Sequence, residues 1–213
     1  MAVDAAAGVS EGFAGRREDP RLLKGEGRYT ADWNFPGQLY AAVLRSDRAH
    51  AELRAINVQV ARTAPGVVAV FTGADVQHYK TPPPQLKVPG RGGMQLKVPE
   101  RPILARDRVR YVGQEIAMVV AASAAAAQDA LELIEVEYFD RVAVVDGAVA
   151  LEEGSPQLHE SVPGNLAFDF DYGDEAAAAA AITSAAHVTR LTLDSTRVSG
   201  NPMEPKACLV VYQ

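Results

Sequence analysis

The stretch RVRYVGQEIAMVVAASAAAAQDALELIEVEYFD, residues 108–140, holds the clearest succession of elements in the chain. Its first part, Arg108 to Ala122, reads as one long strand bent, or two strands joined, at Gly113, because a glycine inside a strand marks a bulge or sharp bend. Ser123 is a predicted N-cap, since its hydroxyl can accept from a backbone N–H that the first helical turn leaves free. Behind it Ala127, Ala130, Leu131 and Ile134 recur at i, i+3, i+4 and i+7, the apolar stripe of an amphipathic helix lying on a sheet. Alanines on that stripe allow close approach. Glu135 and Glu137 then alternate with Val136 and Tyr138, so a strand with one wet face follows at once. The unit is strand–helix–strand.

Upstream of it, QLYAAVL from Gln38 to Leu44 is apolar on both faces and suits a central strand covered on each side. A second strand is predicted from Glu52 to Val58, then a short helical stretch stopped by Pro65 and Gly66, then a buried strand from Val67 to Phe71. The segment TPPPQLKVPGRGGMQLKVP, 81–99, is dense in proline and glycine and contains QLKVP twice, at 85–89 and 95–99. Two copies are too few for a solenoid, which needs several stacked units. They suit a hairpin-like excursion with GRGG at its tip, expected to be exposed and mobile over 80–99.

Downstream, Leu151 to Gly164 is a polar, proline-punctuated connection. Phe168 and Phe170 alternate with Asp169 and Asp171 in a predicted strand, and Asp174 then caps an alanine-rich helix reaching about Ala186. Leu191 and Leu193 resume strand alternation. The apolar run from Ala207 to Tyr212 is expected either to pair with 188–194 or to leave an open apolar edge for another chain. Near the N-terminus, RLLKGEGRYTADW places Gly25 and Gly27 before Tyr29 and Trp33, a glycine turn leading to aromatics that need a core or an interface. Residues 1–16 read as a disordered tail. Helices and strands are mixed without a strict βα repeat, so the fold class is α+β.

A chain of 213 residues suits one domain with an extension. Its net charge of −6, from 27 acidic and 21 basic residues without a run of one sign, argues against nucleic acid and membrane surfaces as partners. The lone Cys208 excludes an internal disulfide and, in an apolar run, reads as a small buried hydrophobe. The start of the chain lacks the basic and apolar regions of a signal peptide, and no apolar run approaches the roughly 20 residues of a membrane span, so a soluble, cytoplasmic protein is expected.

Signals for chemistry are sparse. His50, His78, His159 and His187 are scattered, with none at i+3 or i+4 from another as a helical metal site requires. Neither GxSxG nor GxxxxGK[ST] occurs, and the GxG at 25–27 lacks the third glycine and the βαβ unit of a dinucleotide site. Glu152–Glu153 and Asp169/Asp171 fit solvated turns and strand faces. Glu204 differs because Pro202 and Pro205 restrict its backbone. A carboxylate so held could point into a site, or it could cap backbone N–H groups.

Six blocks in order resemble the molybdenum-binding large subunit of the xanthine dehydrogenase, aldehyde oxidase and aerobic carbon monoxide dehydrogenase family. They are REDPRLLKGEGRYTAD (17–32), PGQLYAAVLRSDRAHAEL (36–53), PGVVAVFTGADV (65–76), RVRYVGQEIAMVVA (108–121), DALELIEVEYFDRVAVVD (129–146), and GNLAF (164–168) with NPMEPKA (201–207). The resemblance implies an α/β hammerhead domain over 17–150, then a connection and the first strands of a molybdopterin-binding domain over 151–213. Three features depart from the family pattern: Arg48 stands where a histidine often opens a HAH triplet, Phe139 to Val142 replaces a proline-containing turn, and the QLKVP loop is long and repetitive.

The resemblance further implies oxidative hydroxylation of an aldehyde or N-heterocycle, or oxidation of carbon monoxide, at a molybdopterin-type molybdenum cofactor. Iron–sulfur clusters and FAD would sit on partner subunits. The family's general base, glycine-rich cofactor loops and substrate pocket lie in later segments, so no catalytic, cofactor-binding or metal-ligating residue is assigned here. Glu204 would reach the site at most through another group. This chain is therefore expected to supply scaffold and subunit contacts, to need the remaining molybdopterin-binding segment or chain, and to be inactive alone. The rival reading is a non-catalytic binding or assembly module that keeps the hammerhead.

Overall fold

A computed structural model describes residues 16–79, 81–84, 88–193, 195, 200–202, 204 and 206–212. The expected tail lies outside the described residues except for Arg16. The chain divides into two units, residues 37–191 and residues 1–36 with 192–213.

In the smaller unit a short helix α1, Asp19–Leu23, precedes a 3-10 turn, Thr30–Asp32. The turn is tied at its start by Tyr29 N–H donating to Asp32 Oδ2 at 2.8 Å. Arg28 lies over the Trp33 ring at 5.3 Å, a cation–π contact at the surface. Tyr29 and Trp33 stay about half exposed, so the aromatics expected to need a cover have no core here.

The larger unit contains two three-stranded antiparallel sheets. Its strands are β1 Tyr40–Arg45, β2 Ala51–Asn57, β3 Val67–Thr72, β4 Arg108–Val109, β5 Glu115–Ala121 and β6 Glu135–Asp140. One sheet has the order β1-β5-β3 and the other β4-β2-β6. The chain passes between them at each of its five connections, and two of these crossings, from β1 to β2 and from β4 to β5, lie together. The latter crossing is the predicted break at Gly113, whose φ of 89° lies in the region that favours glycine. Backbone bonds clamp the two crossings together: Gly113 N–H to Ser46 O at 2.7 Å and Ser46 N–H to Gln114 O at 2.8 Å.

Strand alternation on β5 feeds two cores. Ala117, Val119 and Ala121 face one cluster with Ala127, Ala130, Leu131 and Ile134, while Ile116 faces a second with Ala51, Ala105 and Val109. The helix behind the first cluster is α3, Ala124–Leu131, capped as predicted by Ser123 Oγ accepting from Ala126 N–H at 3.1 Å. It ends before Ile134, yet Ile134 is buried from the following turn. The short predicted helix is α2, Gln59–Arg62, which adds buried Ala61. A last helix, α4 Glu175–Ser184, is capped by Asp174 as expected and has no buried residue.

Several expectations fail on position. The run 38–44 forms an edge strand, β1, and the central place belongs to β5. The Val67–Phe71 strand is likewise at an edge, with only Val70 buried and Val68 60% exposed. Apolar content alone cannot separate an edge strand packed on one face from a central one. The described residues of 168–171, 188–193 and 206–212 carry no strand, and Cys208 is exposed rather than buried. With no ladder among the described residues, Val210, Val211 and Tyr212 stay largely exposed.

The GRGG tip is a tight turn as expected, with Gly90 N–H donating to Met94 O at 2.7 Å. The excursion is not exposed throughout, however. Arg91 N–H donates to Asp169 O at 2.9 Å and Lys97 N–H to Ala167 O at 3.0 Å, so the second QLKVP copy lies against 167–169 and Leu96 to Pro99 are half-buried. Lys80 and residues 85–87 lie outside the described residues.

At the end of β3, Asp75 Oδ2 accepts from Thr72 N–H at 2.7 Å and from Thr72 Oγ1 at 2.8 Å. These bonds favour the ionised form and hold the Asp75 carboxyl below its ordinary value, with the Arg62 charge adding to the effect. A lowered carboxyl stabilises the fold above its unfolded-state value and loses that contribution as pH falls through the folded-state one. Asp75→Asn is therefore expected to lower stability near neutral pH, with the difference from wild type closing in acid. Urea denaturation across pH checks it; a constant difference at every pH contradicts it.

Candidate functional site

The only carboxylate singled out by sequence, Glu204, lies in the smaller unit. Its Oε1 accepts from Thr30 N–H at 3.3 Å, at the first residue of the 3-10 turn. This is a contact to a backbone N–H between residues 174 apart in sequence. Pro205 lies outside the described residues.

The larger unit carries the open concave surface. Two neighbouring clefts, of about 430 and 620 Å³, share Glu100, Pro102, Arg110 and His159. The first is completed by Tyr111, Gln114 and Glu115, the second by Arg106, Asp107, Arg108 and Glu160. Arg110 sits at the crossing between sheets, held by three bonds. Its N–H donates to buried Gln114 Oε1 at 2.8 Å, its Nε to Leu158 O at 2.8 Å, and its Nη1 to Arg108 O at 3.5 Å. Burial pushes the Arg110 guanidinium below its ordinary value. Burial also pushes the His159 imidazole down, and the charges of Arg110 and Arg108 push it further. Tyr111 is raised, chiefly by burial.

His159 reaches this place because the connection 149–165 is folded by its own side chains. Asn165, at φ 57°, donates from Nδ2 to Ala150 O at 3.0 Å and to Pro156 O at 2.9 Å, and accepts at Oδ1 from Leu158 N–H at 3.0 Å. Asparagine is among the few residues with a side chain that adopt this backbone region readily. Sequence reasoning counted His159 among scattered histidines and passed over Arg110. The one available signal was the alternation of Arg108 and Arg110 on a strand, and nothing in it pointed to a partner 49 positions on.

The other histidines stand apart. His50 is buried, with Nδ1 bonded to Val142 O at 2.8 Å and Nε2 without a partner. His78 packs on Tyr79. Two departures from the family pattern meet on the β2–β6 sheet, where Arg48 lies over the Tyr138 ring at 5.6 Å and Phe139 lies beneath both Arg54 and Arg141, at 4.5 and 5.2 Å. Arg141 and Arg54 both pair with Glu52. Among the described residues no group of three or more His, Cys, Asp or Glu side chains could hold a metal ion.

Residues 24–141 match the family model described as aldehyde oxidase and xanthine dehydrogenase, a/b hammerhead domain. The nicotine 6-hydroxylase large subunit of Paenarthrobacter nicotinovorans is 36% identical over 203 residues, covering 93% of this chain and 24% of that protein. Among solved structures, quinoline 2-oxidoreductase from Pseudomonas putida 86 superposes with a TM-score of 0.65 at 41% identity, over 71% of this chain and 19% of that one. The Cu,Mo carbon monoxide dehydrogenase in its carbon monoxide reduced state gives 0.60 at 34% identity, over 70% and 18%. The chain thus spans about a quarter or less of the length of these relatives. With the family's domain matched across both sheets and their crossings, the chain belongs to the aldehyde oxidase and xanthine dehydrogenase family and carries its α/β hammerhead domain.

Proposed function

We propose that the chain is part of a molybdenum-dependent oxidoreductase that hydroxylates an aldehyde or N-heterocycle, or oxidises carbon monoxide. In this reading residues 17–150 are the hammerhead scaffold, and 151–213 are the connection and the start of the molybdopterin-binding domain. The observation that carries it is the hammerhead match over 24–141. Two of the three relatives described above are named for N-heteroaromatic substrates, which makes that class the first to assay.

The chain's own part is structural. It holds its two sheets by the crossings at Ser46 and Gly113 and offers surfaces to further polypeptide. Supporting this, Val210, Val211 and Tyr212 are largely exposed, an apolar stretch of the kind that marks an interaction site. In this reading Glu204, whose Oε1 accepts from Thr30 N–H, takes no direct part in the chemistry. The cofactor would be bound by the remaining molybdopterin-binding segment or chain, and iron–sulfur and FAD subunits would take the electrons. No helix among the described residues is long and apolar enough to cross a membrane, in keeping with a cytoplasmic complex.

The test is purification from the source organism by a tag on this chain, with metal analysis and dye-linked oxidation of N-heterocycles, aldehydes and carbon monoxide. Stoichiometric molybdenum and turnover of one class are expected. A homogeneous preparation without molybdenum and inert to all three would overturn the reading.

A further inference from the structure

Asp146 and Gly147 form the one Asp-Gly step in the chain, and both residues are exposed. Asp146 Oδ1 accepts from Ala148 N–H at 2.8 Å, while its backbone O accepts from Ala150 N–H at 3.0 Å. In such a turn the aspartate side chain bonds its own backbone two residues on, which folds the carboxyl group over the intervening peptide unit. The nitrogen of that unit is Gly147 N, whose N–H has no partner among the described residues. The space beside Gly147 is open, with no atom within 4 Å of where a Cβ would stand.

An amide nitrogen placed in this way can attack the side-chain carboxyl carbon. The nucleophile is unhindered, its N–H is unbonded, and Ala148 N–H already points at the oxygen on which negative charge develops, as an oxyanion-stabilising donor does. We propose that Asp146–Gly147 is a covalent modification site, at which the folded chain rearranges through a cyclic imide to isoaspartate. Gly147 N bonds to Asp146 Cγ, and the Gly147 amide proton leaves as water with the hydroxyl of the protonated carboxyl. A second water then opens the ring. Where it cleaves the original peptide bond, the backbone runs through the side chain, one methylene longer, and the former backbone carbonyl becomes a free carboxylate. That displaces the acceptors of both Ala148 N–H and Ala150 N–H. Ala150 O in turn accepts from Asn165 Nδ2 at 3.0 Å, so the change reaches the residue that folds the connection 149–165. The site stands independently of the redox assignment.

The test ages the assembled protein near neutral pH, both folded and unfolded in urea. Peptide mass spectrometry with electron-transfer fragmentation, which distinguishes isoaspartate from aspartate, reads every aspartate. In the folded protein isoaspartate is expected to accumulate at 146 several-fold ahead of any other aspartate. Accumulation at 146 in urea but not in the folded protein overturns the proposal, and so does accumulation in neither. Gly147→Ala crowds the nitrogen and is expected to slow the reaction several-fold. Ala148→Pro removes the donor to Oδ1 at a residue whose φ of −70° suits proline, and is likewise expected to slow it several-fold. An unchanged rate in Ala148→Pro also overturns the proposal. Amide exchange at Ala150 should rise in aged wild type and stay at its starting value in aged Gly147→Ala.

Discussion

Replacing Ile116 by alanine is expected to destabilise the protein by about 3 kcal/mol, within the range of about 2–5 kcal/mol for truncating a buried aliphatic side chain. Ile116 is fully buried and is one of the largest such side chains. It leaves β5 on the face opposite Ala117 and Val119 and fills the space bounded by Ala51, Ala105 and Val109. Two of those neighbours are alanines, with no side-chain rotamers by which to close a void, while Leu53, Ile56, Val136 and Tyr138 at the edge of the cluster can close only part of it. For a chain of this size the loss corresponds to a fall in melting temperature of about 6–12 °C. Ile116→Val, one methylene smaller, should cost only about 1 kcal/mol. The contrasting position is Val68, 60% exposed on the edge strand β3, where alanine should change stability by less than about 0.5 kcal/mol. Thermal unfolding of both variants checks the pair. Similar losses at the two positions would contradict the placement of β5 between the cores and β3 at the edge.

That contrast shows what could be read beforehand. The unit 108–140 was legible because local rules agreed along it: a glycine at the bend, a serine before the helix, alanines on one stripe, and acid–apolar alternation after it. Position within the sheets was not. The residues of β1 and β3 are as apolar as those of β5, and only pairing shows that β5 has a strand on each side. Segments 188–193 and 206–212 have strand-like alternation or apolar content, yet propensity cannot supply the partner a ladder needs. The clefts were illegible for another reason. Their groups come from residue 81, from 98–115 and from 159–161, the last brought in by Asn165 and backbone carbonyls rather than by any spacing along the chain.

The docking of the QLKVP excursion was also missed, and one atom position makes it testable. A Cβ added at Gly90 would lie 2.2 Å from Asp169 O and 2.9 Å from Phe168 Cε2. Its φ of −81° is open to any residue, so the requirement for glycine is steric rather than conformational. The carbonyl it would strike is the one that accepts from Arg91 N–H, which means alanine cannot be admitted while that bond remains at 2.9 Å. Gly90→Ala is therefore expected to separate the GRGG turn from 167–169, costing about 1–3 kcal/mol if the segments stay close and strain is absorbed. Once they part, the amides of Arg91 and Lys97 lose their acceptors. Hydrogen exchange at both should rise toward that of exposed loops, while the amides of β5 keep their protection. Gly92 supplies the comparison, since its φ is 63° and no atom lies within 4 Å of an added Cβ. Alanine there carries the backbone penalty of about 1 kcal/mol without a clash, and asparagine less, because it tolerates that region. Faster exchange at Arg91 and Lys97 in Gly90→Ala but not in Gly92→Asn would locate the effect at the Asp169 carbonyl. Unchanged exchange in both would mean the excursion is not held there, and the second QLKVP copy would revert to an ordinary exposed loop.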